Sequence, residues 1–293
     1  MEDKIEILSV ELLDQHRPTV RALKRLAGSL GLEFGWHYLL DLTWIISLLG
    51  SAKGKRILDA GAGTGVLQWY LAEQGAEVIS VDRLSRANLP LRFRRRYNVR
   101  GLRSQDLLPS ATILRQSFTE RTKLQLKVKS QARDLAGLTD LRRTTGRVII
   151  YNQELQRLND LADASIDAVV AVSALEHNLP EELPRVVIEL QRVLKPDGVL
   201  LATLGAAPQS DWLHVPSQGW CYTDASLRRN FDLPADTPTN YDRHDDLFDA
   251  LRDCAELRDG LASFYYQSGD NGMPWGRWDP QYQPVGVCKV KWG

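Results

Sequence analysis

ILDAGAGTG, residues 57–65, decides how the rest of this 293-residue chain is read. Ile57–Ala60 is a compact apolar run and reads as a strand. Gly61, Gly63 and Gly65 then follow at alternate positions. Glycine suits such a turn because the backbone bends sharply and comes close to a ligand, where a Cβ would clash. A helix is expected from about Val66 to Gln74, with Gly75 ending it, and EVISVD at 77–82 reads as a second strand. Strand, turn, helix and strand within about thirty residues make a βαβ unit. The helix N-terminus offers unpaired N–H groups and partial positive charge to an anionic ligand group. Asp82 closes the second strand 21 residues after Gly61. That is near the spacing at which a carboxylate accepts hydrogen bonds from ribose hydroxyls.

The loop alone admits several readings. A dinucleotide site would place glycine or alanine where Val66 stands, and a Walker loop needs a lysine followed by serine or threonine, which is absent. Glycines that only shape a tight turn are a further reading. D-x-G-x-G-x-G, at Asp59, Gly61, Gly63 and Gly65, resembles the first motif of the class I, Rossmann-like S-adenosylmethionine-dependent methyltransferases. SIDAVVAVSALEHN at 165–178 resembles that family's fourth strand and the loop after it. ELQRVLKPDGVLLATL at 189–204 resembles its next helix, turn and fifth strand, with Asp197 where glycine is common. The matches stand in the family's order and span 54–82 and 147–204.

The resemblance implies an α/β fold: a doubly wound, mostly parallel seven-stranded sheet of order 3-2-1-4-5-7-6, with helices on both faces and an antiparallel last strand near 284–290. It implies S-adenosyl-L-methionine as cofactor. Asp59, Gly61, Ala62, Gly63 and Gly65 would lie against its methionyl part, and Asp82, followed by Arg83, would hold the ribose. The family's acid after strand three would be Glu154, with the Leu155 N–H at the adenine; Gln153 is the alternative. Ser173 would face the cofactor from the loop after strand four.

The chain organises around this core. Residues 4–50 read as helical, with apolar faces at Leu8, Leu12 and Leu13 and at Leu23, Leu26 and Leu30. The expected domains are a helical cap at 1–50 and a methyltransferase domain at 51–293, which carries a large basic insertion at 83–146. Residues 83–147 hold 17 lysines and arginines against 4 acids, an excess of 13 that the remainder must cancel, because the whole chain has 37 of each sign. So long a connection is expected to contain helices of its own, with KLQLKVK at 123–129 alternating like a strand. Helices near 181–194 and 245–257 and a strand-like run at 261–267 complete the pattern. The three cysteines have no paired spacing, so neither a disulfide framework nor a zinc site is expected. MEDKIEILSV does not read as a secretory signal, and the run at 38–50 is too short to span a bilayer and carries Asp41. A cytoplasmic protein without a membrane span is the expectation.

Methyl transfer requires proximity and alignment, then a base where the acceptor must lose a proton. Ligands in open α/β sheets sit beyond the carboxyl ends of the strands. That makes His177, in Ser173–Asn178, the candidate base, with a structural role for Glu176 and His177 as the alternative. His37 and Tyr38 read as the aromatic core of a capping helix. Trp212, His214, Trp220, Tyr222, Trp275 and Trp278 fall in loop-like sequence, and NGMPWGRWDPQYQP at 271–284 is the expected acceptor-binding loop. A small-molecule or saccharide acceptor ranks first. Nucleic acid ranks second, because RFRRRYNVRGLR interleaves Phe93 and Tyr97 with arginines; protein ranks third. A cofactor-binding protein without catalysis is the remaining reading.

Overall fold

The computed structural model describes residues 1–119, 144–262, 273 and 277–292. The chain divides into two compact units, Met1–Gly50 with Leu158–Gly293, and Ser51–Arg157.

The first unit begins with β1 (Lys4–Ile7), then α1 (Leu12–Gln15), α2 (Arg17–Leu30) and α3 (Tyr38–Leu49). The expected helix over 4–50 is corrected at its start. KIEI alternates, burying Ile5 and Ile7 while Lys4 and Glu6 stay half-buried, and that period of two makes a strand. In α2, Val20, Leu23, Leu26, Ala27 and Leu30 form the buried face, and Gly31 ends the helix at φ 64°.

The second unit contains β2 (Arg56–Ala60), α4 (Leu67–Glu73), β3 (Glu77–Asp82), α5 (Leu91–Arg96), β4 (Arg100–Gly101), α6 (Ser110–Thr119) and β5 (Arg147–Asn152). β3 lies between β2 and β5, and β4 pairs with the far side of β5, all parallel. Near-continuous burial along β2, β3 and β5 is the signature of a parallel sheet covered on both faces. The order 3-2-1 expected for the first three core strands is the order here. The insertion begins by packing on α4: Phe93 stacks on Trp69 at 4.7 Å and Tyr97 lies 4.8 Å from it. Phe93 and Tyr97, read from sequence as stacking platforms for bases, are therefore core residues, 3% and 0% exposed. KLQLKVK at 123–129 lies outside the described residues.

The first unit resumes with β6 (Ile166–Val172), α7 (Leu183–Val193), β7 (Leu194–Ala206), β8 (Trp212–His214), β9 (Gly219–Tyr222), α8 (Asp224–Phe231), α9 (His244–Arg252), α10 (Ala255–Asp259) and β10 (Gln283–Val290). β6 and β7 are parallel, and β10 runs antiparallel to β7, giving the expected 4-5-7. Two features depart from a mostly parallel seven-stranded sheet. β1 pairs antiparallel with the other side of β10, and β8 and β9 add a hairpin whose second strand is parallel to β7. Ten strands occur among the described residues, four in one unit and six in the other. The run at 261–267 lies mostly outside the described residues.

The KPDG turn is a bulge inside β7: Ile166 pairs with Leu194 and Ala168 with Val199, so residues 195–198 loop out. Asp197 takes the left-handed conformation at φ 61°, which glycine adopts without strain and Asp tolerates. Lys291 pins the bulge, its O accepting from Asp197 N at 2.8 Å and its N donating to Gly198 O at 2.9 Å.

α3 lies against β6, β7 and β10. Trp44 fits there because Gly286 leaves room; a Cβ on Gly286 would sit 2.5 Å from the indole. Gly286→Ala is therefore expected to destabilise by about 1–3 kcal/mol, as overpacked cores do. Urea denaturation checks this, and an unchanged midpoint would contradict the packing.

Candidate functional site

The glycine loop of the second unit is built around the Asp82 carboxylate. Gly61 and Gly63 have φ of 75° and 49°, a region that side-chain-bearing residues avoid. Gly61 N and Ala62 N both donate to Val81 O at 2.9 Å, and Gly65 N closes the turn onto Ala62 O at 3.0 Å. Gly63 N donates to Asp82 Oδ2 and Leu84 N to Oδ1, each at 2.8 Å. Each carboxylate oxygen thus holds one backbone N–H and keeps acceptor capacity for a ligand hydroxyl. A Cβ on Gly63 would meet only Asp82 Oδ2, at 3.9 Å, so the missing side chain leaves open space beside the carboxylate. The remaining acceptor sites and the space suit a ligand with paired hydroxyls, such as a ribose. Arg83, next in sequence, is exposed.

Sequence reasoning missed the support beneath the loop. Arg86 counted only towards the charge of the insertion, yet its guanidinium is buried under the turn. It donates to Gly63 O at 3.2 Å, to Ser80 O at 2.5 Å, and to the Ser80 hydroxyl. Gln68 donates to Gly65 O at 3.1 Å and accepts from Ser80 Oγ at 2.7 Å. No local pattern marks these residues, because the roles arise from tertiary packing. Asp59 is 3% exposed. Burial pushes its carboxyl up to about 7, with Arg86 opposing and Asp82 adding to the rise. A raised carboxyl favours the folded state below its unfolded value of 3.8, and that contribution is lost as pH rises towards 7. Wild-type melting temperature should therefore carry a declining component between about pH 4 and 7 that Asp59→Asn removes. Parallel melting curves for the two proteins across this range would refute the assignment.

At the end of β5, Gln153 N donates to Asp82 O at 2.9 Å, and the Gln153 amide is held by Arg103 and by Arg157 O. Glu154 is exposed and Leu155 half-buried. Asp106, an acid of the insertion, is fully buried and accepts from Asn152 N at 3.1 Å and from Arg103 Nη2 at 3.0 Å. Burial works against its charge, but the Arg103 side chain and the backbone N–H groups of Arg103 and Asn152 outweigh it, so its pKa lies below the usual range.

In the first unit, Ser173 ends β6 at φ 44°, its N donating to Thr203 O and Oγ1, both at 3.1 Å. Its hydroxyl donates to Glu176 Oε1 at 2.5 Å. Glu176 is buried, its Oε2 has no partner among the described residues, and burial raises its carboxyl against the pull of His177, Ser173 and His37. His177 is exposed, with Nδ1 3.1 Å from Gln218 O. A carbonyl can only accept, so this bond assigns the proton to Nδ1 and leaves Nε2 as the acceptor of the neutral ring. β9 holds the pair in place: a Cβ on Gly219 would sit 3.1 Å from Glu176 Cγ and 3.6 Å from His177 Cε1.

An aromatic cluster stands in the same unit. His37, read from sequence as capping-helix core, is buried and sits between Asp41 Oδ2 at 2.6 Å and the Tyr282 hydroxyl at 3.1 Å. Trp36 and His214 each pack edge-on to Tyr282, with centroids 5.1 Å apart, and Trp278 and Trp212 extend the cluster. His214 Nε2 and the Tyr222 hydroxyl are buried with no partner among the described residues. Burial and the neighbouring His37 hold the His214 pKa low. Trp220 is half-buried on β9. Trp275 and parts of 271–284 lie outside the described residues. Among the described residues no His, Cys, Asp and Glu cluster could hold a metal ion, and no helix is long and apolar enough to cross a membrane.

Residues 113–202 match the methyltransferase domain family. The match to the methyltransferase domain covers the strands and loops from β5 to β7, which include Ser173, Glu176 and His177. The ubiquinone biosynthesis O-methyltransferase of Bordetella avium is 46% identical over 43 residues, 15% of this chain and 18% of that relative. That of Acinetobacter baumannii is 42% identical over 43 residues, with the same shares. The chain thus spans under a fifth of the length of the curated relatives it matches. Among solved structures, the 1,6-didemethyltoxoflavin-N1-methyltransferase of Burkholderia thailandensis is 14% identical at TM-score 0.44, over 97% of this chain and 86% of that one. The magnesium protoporphyrin IX methyltransferase of Synechocystis is 15% identical at TM-score 0.40, over 93% and 83%.

Proposed function

We propose that the methyltransferase domain is an active S-adenosylmethionine-dependent enzyme, cytoplasmic, with a small-molecule or saccharide acceptor. The observation that carries this reading is Asp82, whose carboxylate holds the glycine loop through Gly63 N–H and keeps acceptor capacity beside it. Asp59, Gly61, Ala62, Gly63 and Gly65 would cradle the methionyl part, Asp82 and Arg83 the ribose, Glu154 and Leu155 the adenine, and Ser173 would contribute from the loop after β6. When bound, the cofactor supplies an electrophilic methyl group on a positively charged sulfonium. His177 acts as general base: the Gln218 carbonyl fixes the Nδ1–H tautomer, so Nε2 takes the acceptor's proton. Glu176, buried beside it, stabilises the imidazolium that forms.

Residues 1–50 would form an N-terminal helical cap and residues 51–293 the methyltransferase domain, with 83–146 an insertion in it; within the first unit His37 brings the cap into the aromatic cluster. Rings of that cluster suit the flat face of a heterocycle or sugar, and His214 Nε2 and the Tyr222 hydroxyl offer polar contacts. Incubating the enzyme with labelled S-adenosylmethionine and panels of phenols, heterocycles, sugars and RNA tests the assignment. Label is expected in a small molecule; transfer to RNA alone would reverse the acceptor ranking.

A further inference from the structure

A cavity of about 680 Å³ opens in the second unit, and its described lining residues all fall between Leu91 and Ser110. Leucines such as Leu102 and Leu107 give it an apolar lining, and Arg94, Arg95, Arg100 and Arg103 are among its lining residues.

Arg94 is the informative member. It is 9% exposed, and it donates to three backbone carbonyls: Leu89 O at 2.8 Å, Ala87 O at 2.9 Å, and Leu108 O. Those acceptors are neutral dipoles, and no carboxylate meets Arg94 among the described residues. Burial pulls its pKa down. A buried cation without a counter-charge is costly, and a lining cavity lets an external anion supply that charge. Arg103 is matched by Asp106 at 3.0 Å, whereas Arg100 reaches Glu77 only at 4.0 Å, and Glu77 already holds Arg56 at 3.0 Å and Arg147. Guanidinium forks favour phosphate, which accepts paired N–H bonds. The leucines make an apolar body on the same ligand favourable.

We propose that this cavity binds an amphipathic phosphate, with Arg94 as the counter-charge beneath the phosphate and the leucines against its apolar body. The site goes beyond the methyltransferase reading and does not depend on it. A polynucleotide fits less well, because Phe93 and Tyr97, the aromatic residues that would stack on bases, are buried.

Isothermal titration of the full chain with hexyl phosphate, inorganic phosphate and hexanol separates the contributions. Hexyl phosphate is expected to bind saturably and at least tenfold tighter than inorganic phosphate, with hexanol giving no displacement. Arg94→Gln removes three internal bonds and is at risk of misfolding. Arg100→Glu, on a side chain 57% exposed, is therefore the decisive variant and should weaken hexyl phosphate at least tenfold at an unchanged melting temperature. Sedimentation with phosphatidic acid vesicles would assign the phosphate to a membrane lipid, and hexyl phosphate binding without sedimentation to a soluble molecule. Equal affinity for hexyl and inorganic phosphate, wild-type affinity in Arg100→Glu, or displacement by an oligonucleotide with a steep salt dependence would each overturn the proposal.

Discussion

Replacing Asp82 by alanine is expected to weaken S-adenosylmethionine binding by tenfold or more while the protein still folds. The carboxylate is the proposed acceptor for the ligand hydroxyls and is also the clamp on Gly63 N–H and Leu84 N–H. Hydrogen bonds to a charged group contribute about 1.5–3 kcal/mol each, and about 1.4 kcal/mol is a factor of ten in affinity. Loss of two such bonds, with a glycine loop freed to reorganise, exceeds that threshold. Asp82→Asn separates the two roles, since one amide oxygen can still accept from the loop. It should retain more of the melting temperature than of the affinity. Calorimetry beside thermal melts on the three proteins checks both, and full affinity in Asp82→Ala would remove Asp82 from the site.

Loss of the His177 imidazole should lower kcat by roughly 10²–10⁴, the usual contribution of a positioned base, with cofactor affinity unchanged. His177 is exposed and, among the described residues, makes one ring hydrogen bond, to a backbone carbonyl, so His177→Ala should cost little stability. The split matters because the alternative role for His177 is structural. A structural histidine would move the melting temperature and leave kcat within a few-fold. Steady-state kinetics and melting of the same preparation distinguish the outcomes.

Legibility in the sequence followed how local each signal is. The βαβ unit at 56–82 was readable because three glycines, an apolar strand and a strand-ending carboxylate lie within one short window. The KPDG turn was readable for a similar reason, although its pinning by Lys291 depends on a residue nearly a hundred positions away. β1 was hidden because four alternating residues gain strand character only from pairing with β10 at the far end of the chain. Arg86, Gln68 and Ser80 carried no pattern, since an arginine under a turn looks in sequence like any solvated charge. Phe93 and Tyr97 misled in the opposite direction: their spacing among arginines suggested a nucleic-acid surface, and Trp69 on α4 accounts for both. The Asp41–His37–Tyr282 chain joins residues more than two hundred positions apart, which no local reading could assemble.

If the loop from Asp59 to Gly65, closed by Asp82, is an S-adenosylmethionine site, the demethylated cofactor must occupy it as well. Calorimetric titration of the wild-type protein with S-adenosylhomocysteine, with NAD as competitor, tests it most directly. Saturable binding at one site per chain, undisturbed by NAD, is expected. No binding of S-adenosylhomocysteine, or its displacement by NAD, would contradict it.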